Sequence, residues 1–246
     1  MDRLQLDKNA KLTGRVYFKD EVMWLGLSGS GASFTFDGTK LVLKLKGDNI
    51  AVGDNPIDYA RIAVYVDGKR VVDEMINCAE KEVTVIDRTE NAQSVVEIIK
   101  LSESPMSAVG IEAFAEGSAE ALPEKPLKIE FIGDSITCGY GVDDEDENHQ
   151  FTTATEDVTK AYAYKTAKAL DAEYSMFSAS GYGIVSGYTE GDEPISEQTI
   201  PQFYCSYGFS RGDFAGTAPQ DIPWDFSKYI PQIIVINLGT NDDSYC

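Results

Sequence analysis

Three short peptides in the second half of the chain each follow an apolar, β-rich run. They are Phe131-Ile132-Gly133-Asp134-Ser135, Ser178-Ala179-Ser180-Gly181-Tyr182-Gly183 and Ile236-Asn237-Leu238-Gly239-Thr240-Asn241-Asp242. If those runs are neighbouring strands of a parallel sheet, the peptides meet at its carboxyl edge, where open α/β sheets hold their ligands. The periodicity agrees: a strand over residues 127–132, a helix over 157–170, and strands over 174–178 and 233–237 make a strand-helix-strand pattern with right-handed crossovers. The last of these strands reads as buried.

The first half reads differently. From about residue 11 to 116 it consists of short alternating runs with turn signals between them. Asp37-Gly38 between residues 33–36 and 41–45 predicts one tight hairpin, and Asp67-Gly68 between residues 61–66 and Val71-Val72 predicts another. With the runs at 83–86, 95–101 and 110–114, roughly seven or eight strands result, as in a β-sandwich or jelly roll. The Pro, Gly and charged residues around 117–126 read as a linker. The expected division is a β-sandwich domain over 1–118, a linker over 119–126 and an α/β domain over 127–246. A chain of 246 residues with 43% hydrophobic content can bury two modest cores.

Charge and composition narrow the partners. A formal charge of -20 excludes a nucleic-acid binder, which needs clustered Lys and Arg to displace counterions from phosphates. No run approaches the roughly 18 apolar residues of a membrane span, and Met1 to Gln5 lead into polar sequence rather than a signal core. A cytoplasmic location is expected, or a secreted one if a leader has been trimmed. Cys78, Cys138, Cys205 and Cys246 are scattered, with no pair spaced for zinc, and read as free thiols.

At the three turns, Ser135 would project from a tight strand-to-helix turn, with the potential of the following helix N-terminus favouring negative charge there and its own N–H a candidate oxyanion donor. Gly181 lets the backbone approach an oxyanion without a Cβ in the way. The Asn241 carboxamide can donate an N–H to the same oxygen. Taken singly, these are a capping serine, a turn glycine and a capping asparagine. In this order, each after a strand, they make a nucleophile with an oxyanion hole.

Gly133-Asp134-Ser135, Gly181 and Gly239-Thr240-Asn241-Asp242 resemble the first three blocks of the SGNH (GDSL-type) hydrolases. A β-sandwich joined to such a domain is similar to the second carbohydrate-esterase family. So are Phe131 to Gly141, Thr155-Glu156-Asp157 ahead of Lys160 to Tyr164, and Trp224-Asp225-Phe226. The resemblance implies a serine esterase that removes acetyl groups from plant-wall polysaccharides such as xylan. Ser135 would be its nucleophile, the Ser135 and Gly181 amides with the Asn241 side chain its oxyanion hole, and Asp134 a supporting residue. No cofactor and no metal are implied, and the expected partner is an acetylated oligo- or polysaccharide.

In that family the catalytic histidine lies in a fourth block, whereas the only histidine here is His149, in an acidic loop 14 positions after Ser135. A solvated acidic loop is a poor setting for a general base. The α/β domain is therefore expected to be incomplete at its C-terminal end, with the base on a missing segment or a second chain. The run Asp143 to Glu147 lacks the alternation and glycine of a calcium loop and reads as a solvated face. Trp24, Trp224 and the stretch from Tyr204 to Tyr207 are candidates for sugar stacking but fit packing better, Trp224 as core. Cys138 reads as a packing residue. Two rivals remain: a lipase or thioesterase using the same groups on fatty acyl esters, and a non-catalytic glycan-binding protein.

Overall fold

A computed structural model describes residues 1–245; Cys246, counted above among the thiols, lies outside the described residues. The first half forms one antiparallel sheet of nine strands. They are β1 (Asp2–Leu4), β2 (Lys11–Thr13), β3 (Val16–Lys19), β4 (Val22–Leu25), β5 (Gly31–Gly47), β6 (Ala60–Val66), β7 (Lys69–Ile76), β8 (Glu80–Lys100) and β9 (Val109–Ala121). The order is β3-β4-β9-β5-β8-β6-β7, with β1 added to β9, β2 added to β5, and the one-turn helix α1 (Leu6–Asn9) between β1 and β2. Strands β5, β8 and β9, of 17, 21 and 13 residues, are long enough to link the whole set by hydrogen bonds.

The expected hairpin at Asp37-Gly38 is not there: β5 runs straight through it. On β5 the residues that join the large core are Ala32, Phe34 and Phe36, then Leu41, Leu43 and Leu45, so the parity facing that core changes between 36 and 41. A register irregularity between Gly38 and Lys40 supplies the extra residue that turns the later set back toward the core. Glycine is needed at 38 for close approach. A Cβ there would lie 2.4 Å from the Glu116 carbonyl oxygen and 2.7 Å from the Gly117 Cα. Asp67-Gly68 does form the expected tight turn between β6 and β7, with φ of 51° and 76°.

The second half carries a parallel sheet of β10 (Lys128–Gly133), β11 (Glu173–Ser178) and β12 (Ile233–Asn237) in the order β11-β10-β12. Gly133 pairs with Ser178 on one side and Asn237 on the other, so the three strands end level. The helices are short: α2 (Ser135–Cys138), α3 (Tyr162–Ala169) and α4 (Ile200–Phe203). The helix expected over 157–170 begins later. Asp157 caps only a single 3₁₀ turn, Val158–Lys160, and Ala161 is extended, which breaks the helical path. Strand β12 is not buried as expected; Ile233, Ile234 and Ile236 are 44%, 54% and 63% exposed. Strand β9 also runs to Ala121, into the segment that reads as a linker. Among the described residues, no helix is long and apolar enough to cross a membrane.

The two halves share a core. Ala63, Ile99 and Leu101 of the first pack with Ile129, Phe131, Ala163, Ala167 and Tyr174 of the second. Arg15 is driven wholly into the second half. Its guanidinium donates to the carbonyls of Tyr204 and Ser206, lies 3.6 Å from Glu130, and sits over the rings of Phe177 (4.4 Å) and Tyr204 (4.8 Å). Burial lowers its pKa, against the opposing pull of Glu130. Trp224, expected in the core, is half-buried with its ring 5.3 Å from that guanidinium. Lys11 to Glu173 (2.7 Å), Arg61 to Asp143 (3.0 Å) and Arg70 to Asp157 (2.7 Å) also bridge the halves. Asp143 is therefore no solvated residue: Arg61 and Lys160 both hold it.

Replacing Gly38 with Val should overpack the β5/β9 crossing and destabilise the fold by about 1–3 kcal/mol. Equilibrium urea unfolding measures this; an unchanged midpoint would show that the close approach at Gly38 is not a constraint.

Candidate active site

Because β10, β11 and β12 end level, the turn after each opens on the same edge. After β10 the Asp134 carboxylate accepts the Ile136 N–H at 3.0 Å and caps α2, which fixes the tight turn that presents Ser135. Asp134 is 1% exposed, and burial pushes its carboxyl up. Its contact is with the backbone of the turn, a supporting role of a structural kind. The helix after Ser135 has only four residues, so the helix-terminus potential expected there is small.

After β11, Gly181 adopts φ 79°, a left-handed conformation that favours glycine, and a Cβ at this position would meet no atom within 4 Å. Backbone conformation thus demands the glycine, not crowding. The Gly181 carbonyl accepts the Tyr188 N–H at 2.7 Å. After β12, Asn241 is 7% exposed, and its Nδ2 donates to the Tyr182 carbonyl at 2.8 Å. A carboxamide has two N–H donors, so one remains for a bound oxygen.

Ser135, Gly181 and Asn241 line one cleft of about 600 Å³, together with Glu103, Tyr140, Phe151, Tyr182, Tyr188 and Arg211. A hydroxyl, a left-handed glycine and a carboxamide around one space can hold an ester carbonyl for attack by the hydroxyl. His149 is not among the cleft residues. Its ring is 64% exposed, lies 2.8 Å from Asp144 through Nδ1, and lines a neighbouring hollow on the acidic loop that shares Tyr140 and Phe151 with the cleft. Cys138 is fully buried with its Sγ 3.2 Å from the Ser178 Oγ. Burial, reinforced by Glu103, raises its thiol pKa well above normal, which suits packing and not nucleophilic attack.

Sequence reasoning missed most of the cleft wall. Tyr140 stacks on Phe151 with centroids 3.9 Å apart and planes at 10°, and Tyr140 could have been noticed for following the Ser135 block directly. Nothing local marks Glu103 or Arg211, which come from loops remote in the chain. The aromatics weighed for sugar stacking are structural. Trp24 stacks on Phe214 at 4.5 Å, the Tyr207 hydroxyl donates to the Trp24 carbonyl at 2.7 Å, and the Tyr204 hydroxyl donates to Glu130 at 2.6 Å.

The fold and the site define a class, a β-domain joined to an SGNH-like parallel sheet, and the comparisons with known proteins agree. Residues 12–126 match the family model described as Carbohydrate esterase 2 N-terminal. The chain is 33% identical over 220 residues to a cellulase/esterase, CelE, of Acetivibrio thermocellus, covering 88% of this chain and 24% of that protein. It is 29% identical over 245 residues to an acetylxylan esterase/glucomannan deacetylase of Cellvibrio japonicus, covering 97% of this chain and 62% of that protein. Among solved structures, a family two carbohydrate esterase from Clostridium thermocellum in complex with cellohexaose superposes with a TM-score of 0.78 at 29% identity, covering 96% of this chain and 67% of that one. An acetyl xylan esterase from Butyrivibrio proteoclasticus shares the fold with a TM-score of 0.86 at 22% identity, over 99% of this chain and 66% of that one. Residues 12–126 carry the Carbohydrate esterase 2 N-terminal family domain, and most of the chain is similar to named carbohydrate esterases. It spans about a quarter and just over three fifths of the length of the two curated relatives.

Asp242, next to Asn241, gathers the loop between Tyr182 and Tyr188, two residues of the cleft lining. Its carboxylate accepts the N–H groups of Ile184, Val185 and Ser186 at 2.9, 2.7 and 3.1 Å. Partial burial would raise its pKa, but these donors outweigh that and leave it lowered. A carboxyl whose folded pKa is depressed contributes stability above its ordinary pKa, and the contribution fades as pH falls through the folded value. The protection of the residue 184–186 amides, measured as the ratio of intrinsic to observed exchange rate, should therefore be high at neutral pH and fall in acid below the ordinary carboxylate range, and it should be low throughout in Asp242→Asn. Equal protection in both proteins at neutral pH would contradict this role.

Proposed function

We propose that this chain carries the nucleophile and oxyanion hole of a serine O-acetyl esterase acting on acetylated plant polysaccharides such as xylan. The observation that carries the reading is the convergence of Ser135, Gly181 and Asn241 on one cleft at the carboxyl edge of a parallel sheet. Ser135 Oγ attacks the acetyl carbonyl. The oxygen takes on negative charge facing the Ser135 and Gly181 amides and the free N–H of Asn241. Collapse expels the sugar hydroxyl and leaves an acetyl-serine, which water hydrolyses. His149 does not line this cleft and its Nδ1 lies 2.8 Å from Asp144, so the reading assigns the proton acceptor to a histidine of the family's fourth block and not to His149. Support for a sugar substrate comes from the aromatic faces of Tyr140 and Tyr188 on the cleft and from the names of the relatives. The nine-stranded half takes the role of a jelly-roll-like companion domain.

In the full-length protein, Ser135→Ala should abolish hydrolysis of 4-nitrophenyl acetate, and Asn241→Ala should lower kcat by about 10²–10³-fold with the fold intact. Turnover near the wild-type rate in Ser135→Ala would overturn the assignment. Acetylated xylan, acetylated glucomannan and an octanoyl ester, assayed side by side, separate the deacetylase from an acyl lipase.

A further inference from the structure

A group of ionisable side chains that the esterase chemistry does not use lies against the cleft, which one of them, Glu103, helps to line. Lys100, Glu103, Glu156 and Cys138 are all fully buried. Lys100 and Glu103 come from the end of β8 and the loop after it, in the first half, whereas Glu156 precedes α3 and Cys138 ends α2, in the second.

Glu103 is held through its backbone and one carboxyl oxygen. Its backbone N–H donates to Glu156 Oε2 at 3.0 Å, and its carbonyl accepts the Lys100 ammonium at 2.9 Å. Its side chain reaches across to the second half, where Oε2 accepts the Ser180 N–H and lies 3.8 Å from the Cys138 Sγ. Ser180 immediately precedes Gly181. The Gly181 N–H is thus flanked by two anchors, the Ser180 N–H tied to Glu103 and the Gly181 carbonyl tied to the Tyr188 N–H.

We propose that Glu103, supplied by the antiparallel half, is a positioning residue that holds the Ser180-Gly181 peptide in the orientation the oxyanion hole requires. A buried carboxyl is costly and is retained only where its partners repay the desolvation. Here one oxygen is committed to the loop, while among the described residues Glu103 Oε1 and Glu156 Oε1 accept no hydrogen bond. Burial pushes both carboxyls up, in keeping with a proton carried within the pair. Lys100, its own pKa lowered by burial, faces Glu156, Asp48 and Glu103 and supplies the compensating positive charge. The first half is then part of the hydrolytic machinery, because it fixes a backbone donor in the second.

The kinetic arm of the test rests on the esterase reading; the exchange arm does not. Glu103→Gln keeps an oxygen acceptor of the same reach, whereas Glu103→Met fills the space without one. In the full-length protein, Met should lower kcat on 4-nitrophenyl acetate by about 10–10²-fold with KM within about threefold, and Gln should restore most of it. Equal kcat in wild type and Met, or a Gln variant as slow as Met, would overturn the proposal. A wild type as inactive as Ser135→Ala would instead defeat the esterase reading, leaving Glu103 to be judged by exchange. The wild-type Ser180 amide should be protected from hydrogen exchange although it borders the cleft, and Met should speed its exchange at least tenfold. A Ser180 amide that exchanges freely in the folded wild type overturns the proposal even if the Met variant does not fold. So does a stoichiometric divalent metal bound through Glu103, Cys138 and Glu156, whose donor atoms lie within 4.8 Å of one another.

Discussion

The level ending of three parallel strands is the constraint on which the rest of this structure depends. Gly133 sits between Ser178 and Asn237 across the sheet, so the chain leaves all three strands in the same plane. A slip by one residue would turn alternate side chains to the other face and move a turn along the edge by more than 3 Å. Ser135, Gly181 and Asn241 lie two to four positions beyond those paired residues, close enough that the ladder fixes where each emerges. Asp134, which caps the first turn, and Asp242, which gathers residues 184–186, tie the loops beyond those strands to the sheet edge.

The antiparallel half is built into this arrangement. Arg15 lies among the rings of the second half, ion pairs such as Lys11–Glu173, Arg61–Asp143 and Arg70–Asp157 bridge the halves, and Ile99 and Leu101 of the β8 region share a core with Phe131 of the central parallel strand. Buried charges of this kind add little net stability over apolar packing, but they are costly to mispair and therefore specify one docking geometry. The consequence is that the segment after β8 reaches the Ser180-Gly181 loop at the cleft through Glu103.

Local signals in the sequence were legible where one short segment carried the whole constraint. The three turn peptides, the Asp67-Gly68 turn and the parallel strands are of this kind. Asp37-Gly38 has the same composition as a hairpin turn, but its glycine answers to the backbone of Glu116 and Gly117, 78 and more positions away, and no local pattern reveals that crossing. The helix expected from 157 was shortened by Asp157, which makes a side-chain cap and an ion pair with Arg70 of β7 in place of helical continuation. The isoleucines of β12 read as buried because composition reports preference, not coverage. Glu103 was illegible for the strongest reason: its partners, Glu156 and Ser180, are 53 and 77 positions distant and meet it only in the folded chain.

The central claim is that one hydroxyl, one glycine amide and one carboxamide surround a single oxygen. A crystal structure of the full-length protein inactivated with an alkyl phosphonate ester tests it most directly. The account predicts a phosphorus bonded to Ser135 Oγ, with one phosphoryl oxygen about 2.7–3.1 Å from both the Gly181 nitrogen and Asn241 Nδ2. Label on another residue, or a phosphoryl oxygen directed away from both donors, would contradict it.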